Sequence, residues 1–257
     1  MWALFYVLVF IFGLCAGSFL NVWVWRTWEN ISIVQGRSIC PYCRHRLIWH
    51  DIIPLVSFFL LGGKCRYCKS PISWQYPIVE LIMGLLFLFV ALWHRGEQTF
   101  ITLEMICGWL VIFFLFFIFL YDLKYKEILD VATLPLAVMF YLLAIAMDWN
   151  TWQSLLLGIV IGGGFFLLQY LISNGKWIGG GDIRLGFLMG AILGWPVIIF
   201  ALGLAYVLGA IVSLFLIVVK KKKMGDEIAF GTYLVVATFV AMFWGQGIVV
   251  WYLSLLR

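Results

Sequence analysis

Residues 101–121 read ITLEMICGWLVIFFLFFIFLY, and Glu104 is the only charged residue among them. A run of that length can cross a bilayer as one helix, because about 20 apolar residues span the hydrocarbon and backbone groups in lipid must be satisfied within the segment. Comparable runs occur near residues 2–24, 77–93, 131–147, 152–173, 183–195, 197–219 and 229–254. The expected fold is therefore an all-α membrane protein of about eight transmembrane helices. Composition agrees: 65% of the residues are hydrophobic and 11% charged, against roughly 45–50% and about 25% in soluble domains. The run at 183–195 is the shortest. Only Gly194-Trp195-Pro196, a turn signal with a helix breaker, divides it from the next, so a partial helix is an alternative there. The first run is longer than a secretory h-region and has no basic n-region, so it is expected to stay as an anchor.

Lysine and arginine accumulate in loops that stay in the cytosol. Alternating eight spans places residues 25–76, 122–130, 174–182 and 220–228 on one side. With Arg184, just inside the sixth span, that side holds 15 of the 17 basic residues, leaving Arg95 and Arg257 opposite. It is the expected cytosolic side, with both termini outside. The run Lys220 to Lys223 is expected to act as a stop-transfer anchor. The net charge of +5 is then a topology signal with an attraction to anionic lipid. No basic groove interleaved with aromatics suggests nucleic acid.

Four of the six cysteines form Cys40-Pro41-Tyr42-Cys43 and Cys65-Arg66-Tyr67-Cys68. Two C-x-x-C turns can aim four thiolates at one ion, completing the sulfur shell of a structural zinc site. Arg44, Arg66 and Lys69 favour the thiolate forms. A reducing cytosol disfavours disulfides, although a redox pair or plain thiols remain the alternatives. Four cysteines leave no open coordination position, so zinc here would organise the loop and take no part in chemistry. Cys15 and Cys107 lie within apolar runs as small hydrophobes.

Acids touching the spans are informative, since charge is costly in hydrocarbon. Asp122 closes the run 101–121, and Asp182 follows Gly179-Gly180-Gly181 at the start of the sixth span. The alternation of spans puts both at the same membrane face. Gly179 and Gly181 belong to a loop that lets an extended peptide approach closely. Two neighbouring aspartates share a proton, so that the charged one activates water and the protonated one polarises a scissile carbonyl. Plainer readings are a helix-capping Asp182 and a solvated Asp122 paired with Lys124 or Lys126. Asp130 could cap the fourth span and is the alternative catalytic partner. His45, His50 and His94 have no Ser or Cys partner, and H-E-x-x-H and P-loop patterns do not occur.

In order along the chain, Gly17-Ser18-Phe19-Leu20-Asn21-Val22, the paired cysteines, Ile53-Pro54-Leu55-Val56-Ser57 between them, Ile72 to Glu80, the Asp122 and Asp182 segments, and Ile228-Ala229-Phe230-Gly231 resemble the signatures of the type IV prepilin peptidase family. The family's two catalytic aspartates fall on Asp122 and Asp182, and the second acid of its first motif falls on Asp130. Leu129 stands where a proline is usual, Arg184 where a lysine is common, and His50 to Ile53 reads H-D-I-I where D-N-I is frequent. The resemblance implies a bacterial inner-membrane aspartyl peptidase that cleaves the basic leader of prepilins or pseudopilins after a glycine, at the cytosolic face, in pilus assembly or protein secretion. Many members also methylate the new N-terminus with S-adenosylmethionine, and the same activity is expected here. Glu80 and Asn21, near span ends, are candidate contacts for the leader or the new amine, or else bind water or neighbouring backbone. Gly17 and Ser18 are expected to let helices pack closely.

The implied organisation is a first transmembrane helix at 1–24, a cytosolic four-cysteine loop at 25–76 and a polytopic helical peptidase domain at 77–257. One rival is an intramembrane protease of the presenilin or signal peptide peptidase type, but its C-terminal P-A-L element is missing. The other is a noncatalytic membrane assembly protein whose zinc loop docks partners.

Overall fold

The computed structural model describes residues 2–94, 101–220 and 228–255. Arg95, Arg257 and Lys221 to Lys223 lie outside them. Among the described residues there is no strand, only the isolated bridges Ile39–Arg46 and Lys64–Pro71 in the cysteine loop. The chain divides into two compact units, Met1–Phe117 and Ile118–Arg257, with the boundary inside one helix.

The first unit contains α1 (Trp2–Trp28), the short α2 (Val56–Leu60), α3 (Gln75–Trp93) and most of α4 (Leu103–Tyr125). α1 and α3 touch backbone to backbone. A Cβ built on Gly13 would stand 2.8 Å from Cα of Gly84, and one on Gly17 would stand 2.7 Å from Cα of Glu80. Small residues allow this approach, which membrane helices exploit because lipid supplies no hydrophobic drive for their association. Aromatic residues complete the core: Trp109 stacks on Phe87 with centroids 5.5 Å apart and donates its indole N–H to the Phe87 carbonyl at 3.0 Å.

The second unit continues from the end of α4 through α5 (Asp130–Ala146), α6 (Trp152–Ser173), α7 (Gly180–Leu193), α8 (Val197–Val218) and α9 (Phe230–Val240), which passes through a π-helical turn at Ala241–Gly245 into α10 (Gln246–Leu255). α6 and α7 pack through glycines at four-residue spacing, Gly158 and Gly162 on one helix facing Gly190 and Gly186 on the other. A Cβ on Gly158 would lie 2.7 Å from the Gly190 carbonyl oxygen. Thr151 caps α6 by accepting the Ser154 amide at 3.3 Å, and left-handed Asn174 closes it.

Each expected span corresponds to a helix, with α9 and α10 continuing as one. Among the described residues, six helices are long and apolar enough to cross a membrane: Trp2–Trp28, Gln75–Trp93, Leu103–Tyr125, Trp152–Ser173, Val197–Val218 and Phe230–Leu255. The protein is accordingly an all-helical, multi-pass membrane protein. α5 has 17 residues and α7 only 14. At 1.5 Å per residue α7 reaches about 21 Å, short of the roughly 30 Å hydrocarbon layer, so the partial-helix alternative describes it better than a full span. The count of eight is approximate for that reason.

Candidate active site

Asp122 lies in the last turn of α4 and is buried. Its Oδ2 accepts the backbone N–H of Thr232 at 2.9 Å, and the carboxyl group is also bonded by the amide of Gly231, both residues lying in the first turn of α9. Amides of a first turn have no partner within their own helix, and the helix dipole adds partial positive charge there. The carboxylate supplies both needs. The solvated Asp122 paired with a nearby lysine does not occur.

Asp182 is the third residue of α7 and is also buried. Its side chain bonds back to the amide of Gly179, the residue preceding the helix, as an N-terminal acid can. That contact is a capping one, and it coexists with placement beside Asp122: the two carboxylates are close enough for their charges to act on each other. Ile128, from the α4–α5 connection, fills the space between the two supporting glycines. A Cβ on Gly181 would meet Cβ of Ile128 at 2.8 Å, and a Cβ on Gly231 would meet its Cδ1 at 2.8 Å. The ring of Tyr206 lies against Phe230 with centroids 5.1 Å apart, and its hydroxyl donates to Gln169 at 2.9 Å. Two buried carboxylates, each held by backbone amides, can share a proton and activate water between them.

Asp130 is exposed and forms an ion pair with Arg184, two residues beyond Asp182. The pair joins the first turn of α5 to the first turns of α7. Gly179 lies next to the Asp182 carboxylate, its would-be Cβ 3.9 Å from Oδ2.

In the first unit, Asn21 is buried and donates to the Tyr76 carbonyl at 3.2 Å while accepting from Gln75 at 3.4 Å, tying α1 to the start of α3. Glu80 is buried too, and its Oε2 accepts the Leu55 amide at 2.8 Å. Both therefore bind backbone. Arg26 is buried as well, and its guanidinium donates to the carbonyls of Ser32, Ile33, Gln35, Gly36 and Arg37. On sequence it counted only as a topological charge.

The Sγ atoms of Cys40, Cys43, Cys65 and Cys68 all lie within 4.8 Å of one another. Cys40 and Cys68 are 3.9 Å apart, close to the spacing of about 3.8 Å that tetrahedral Zn–S bonds of about 2.3 Å imply. The cluster can hold a metal ion and fits a zinc-binding loop, and none of the six cysteines is paired in a disulfide. The two knuckles repeat each other. In each, the first cysteine accepts the amide of the residue four positions on, Arg44 at 2.9 Å and Lys69 at 3.0 Å. Both of those residues take left-handed backbone, at φ 57° and 60°. A hydrogen bond to the Ser70 hydroxyl, with the Ser70 amide in support, pushes the Cys68 thiol down to about 6. Asp51 braces the second knuckle, accepting from Arg66 Nε at 2.7 Å and the Tyr67 hydroxyl at 3.3 Å. Burial alone would raise its carboxyl, but Arg66 and the Ile48 amide outweigh that and hold it below the usual range.

The chain is similar to proteins that are already known. A family model described as Bacterial Peptidase A24 N-terminal domain matches residues 11–94, and one described as Type IV leader peptidase family matches residues 109–214. Proteins named Prepilin leader peptidase/N-methyltransferase from Legionella pneumophila, Aeromonas hydrophila and Pseudomonas aeruginosa are 30%, 31% and 32% identical to the chain. The similarity covers 97%, 98% and 94% of this chain and 94%, 94% and 91% of those relatives. No solved structure matches. These relatives favour neither the presenilin-like nor the noncatalytic alternative. With similarity over nearly the whole length, the chain belongs to the type IV leader peptidase family.

Proposed function

We propose that the chain is a membrane aspartyl endopeptidase that removes the leader of type IV prepilins or pseudopilins and then methylates the new N-terminus. The observation carrying the peptidase reading is the buried Asp122–Asp182 pair, held by amides of Gly231, Thr232 and Gly179. The ionised aspartate takes a proton from water, whose oxygen attacks the carbonyl carbon of the leader's last glycine. The protonated aspartate donates to the carbonyl oxygen, giving a tetrahedral diol. The carbon–nitrogen bond then breaks as a proton passes to the leaving amine. The burial of both carboxyls keeps bulk water from competing for their proton.

The loop metal is structural zinc, bound by Cys40, Cys43, Cys65 and Cys68, and its role is to hold residues 38–71 together. S-adenosylmethionine is the methyl donor by family membership, and no residue here is assigned to it. Gly179 and Gly181 give room for the extended substrate, and Asp130 supports the site through Arg184. Asn21 and Glu80 hold the loop ends. The membrane is the bacterial inner membrane, with the cysteine loop and aspartates cytosolic, both termini outside, and the domain limits those expected at 24/25 and 76/77.

The test is incubation of the purified protein in lipid with a prepilin bearing a glycine-terminated basic leader. Wild type should cleave it, and folded Asp122→Asn and Asp182→Asn should not. Undiminished cleavage by either variant would refute the pair. Incorporation of label from methyl-labelled S-adenosylmethionine only after cleavage would support the second activity; no incorporation would remove it.

A further inference from the structure

The segment Ile52 to Leu60 is mostly apolar, yet it lies in the cysteine loop between two spans. Its inward contact is made by Phe58. That ring packs on Trp74 with centroids 4.9 Å apart and covers Gly63, whose would-be Cβ lies 3.3 Å from it. The next side chain turns outward: Phe59 is 65% exposed, with Leu60 at 80% and Val56 at 50%. Such a cluster on a soluble loop would be a liability.

The backbone fixes where this cluster sits. Val56 N–H donates to the Pro54 carbonyl at 2.6 Å around Leu55, which has φ 59° and ψ −51°. This is a γ-turn of the rare, strained kind. The Leu55 amide, turned aside by it, is bonded to Glu80 at 2.8 Å. Glu80 lies five residues after Gln75, the first residue of the candidate span α3. At 1.5 Å per residue that is about 7 Å along the helix. α2 therefore starts beside the first turns of the candidate span. The outer face of α3 beside that point, Ile78, Leu81, Ile82 and Leu85, is exposed and apolar. From Asn30 to Val79 the chain carries six basic residues, Arg37, Arg44, Arg46, Lys64, Arg66 and Lys69, and one acid, Asp51, which Arg66 engages.

We infer that α2 is a membrane-surface foot: Val56, Phe59 and Leu60 enter the boundary between headgroups and acyl chains beside α3, while Lys64 and Lys69 meet the phosphates of anionic lipid. The apolar face continues the lipid-facing surface of α3, and the basic excess matches an anionic leaflet. The strained turn and the buried Glu80 hold the foot at that depth. The inference depends on α3 spanning the membrane and is independent of the catalytic pair.

Benzoylphenylalanine placed at residue 59 or 60 of the full-length protein tests it, with residue 34 as control, since Val34 is 93% exposed in the same loop. The protein is reconstituted in phosphatidylcholine vesicles, with or without phosphatidylglycerol, and irradiated, and adducts are identified by mass. All three positions are outward, and metal content verifies the loop. Lipid adducts at 59 and 60 about tenfold above those at 34, rising with phosphatidylglycerol, are expected. Yields equal to the control would overturn the foot, and yields indifferent to phosphatidylglycerol would overturn its anionic-lipid assignment. Adducts moving from lipid to a prepilin in the same vesicles would overturn it in favour of a substrate-docking surface.

Discussion

Residue 231 has no room for a side chain because of Asp122: a Cβ built on Gly231 would stand 2.8 Å from Oδ2 of that aspartate. The same closeness lets the amides of Gly231 and Thr232 reach the carboxylate. Gly231→Ala should therefore displace the carboxylate, and displacements of about 1 Å near the reacting atoms can cost about 10²-fold. Measured on a prepilin, kcat should fall by about that factor with a smaller change in KM. An unchanged kcat would mean that the α9 amides do not set the position of Asp122.

Asp130 gives the contrast. It is exposed and paired with Arg184, and exposed ion pairs contribute about 0–1 kcal/mol. Asp130→Asn should lower stability by no more than that and keep most of the cleavage rate. Asp122→Asn and Asp182→Asn, which on the proposed mechanism remove the groups that pass the proton, should each lose about 10²–10⁴-fold. Equal losses in all three variants would reinstate Asp130 as a catalytic partner.

The glycine contact between α6 and α7 packs the helix that carries Asp182. Gly158→Val would drive carbon into the Gly190 carbonyl and into Gly194, whose Cα lies 2.8 Å from the would-be Cβ. Overpacking of this kind costs about 1–3 kcal/mol. Gly164, on the same helix, has nothing within 4 Å of its would-be Cβ. Gly164→Ala should be neutral or stabilising by up to about 1 kcal/mol. Thermal unfolding in detergent separates the two; similar midpoints would show that the interface yields easily.

Chelation at neutral pH should open the loop around the four cysteines and leave the helices intact, as read by proteolysis between Ser38 and Pro71 alongside circular dichroism. Asp51→Asn should speed metal loss, since partners that brace ligands affect affinity by about 10–100-fold. The pH dependence has a definite sign. The folded carboxyl of Asp51 is held below its ordinary value, so its stabilisation is complete above about pH 4, the unfolded carboxyl range, and lost as pH falls through the folded value. Wild type and Asp51→Asn should differ at pH 7 and 5 alike. Loss of the difference between pH 7 and 5 would contradict this.

Long apolar runs made the spans legible, and the paired cysteines were legible because C-x-x-C spacing has few other uses. Asp122 and Asp182 stood out as acids at span ends. Their surroundings did not, because those depend on contacts that no local pattern encodes. Ile228 to Gly231 was readable as a family signature, yet its work of offering amides to Asp122 spans 110 residues of sequence. Ile128 looked like ordinary connection sequence and fills the space between two glycines. Glu80 is readable as a polar group near a span end, but its bonds to the Leu55 amide and the Ser18 side chain are not. Arg26 was one positive charge among many until five carbonyls appeared around it. The shortness of α7 was legible too, since the Gly194-Trp195-Pro196 break bounds a short run, and the helix stops at Leu193.

The reach from Asp122 to Thr232 has a consequence for biosynthesis. The ribosome delivers α4 long before α9, and in that interval the aspartate lacks the amides that later hold it. Asp182 also emerges before α9. The pair can acquire its final setting only once the last helical segment has entered the membrane. A partly made chain that stops short of α9 therefore lacks the amides of Gly231 and Thr232 that hold the Asp122 carboxylate in the finished protein.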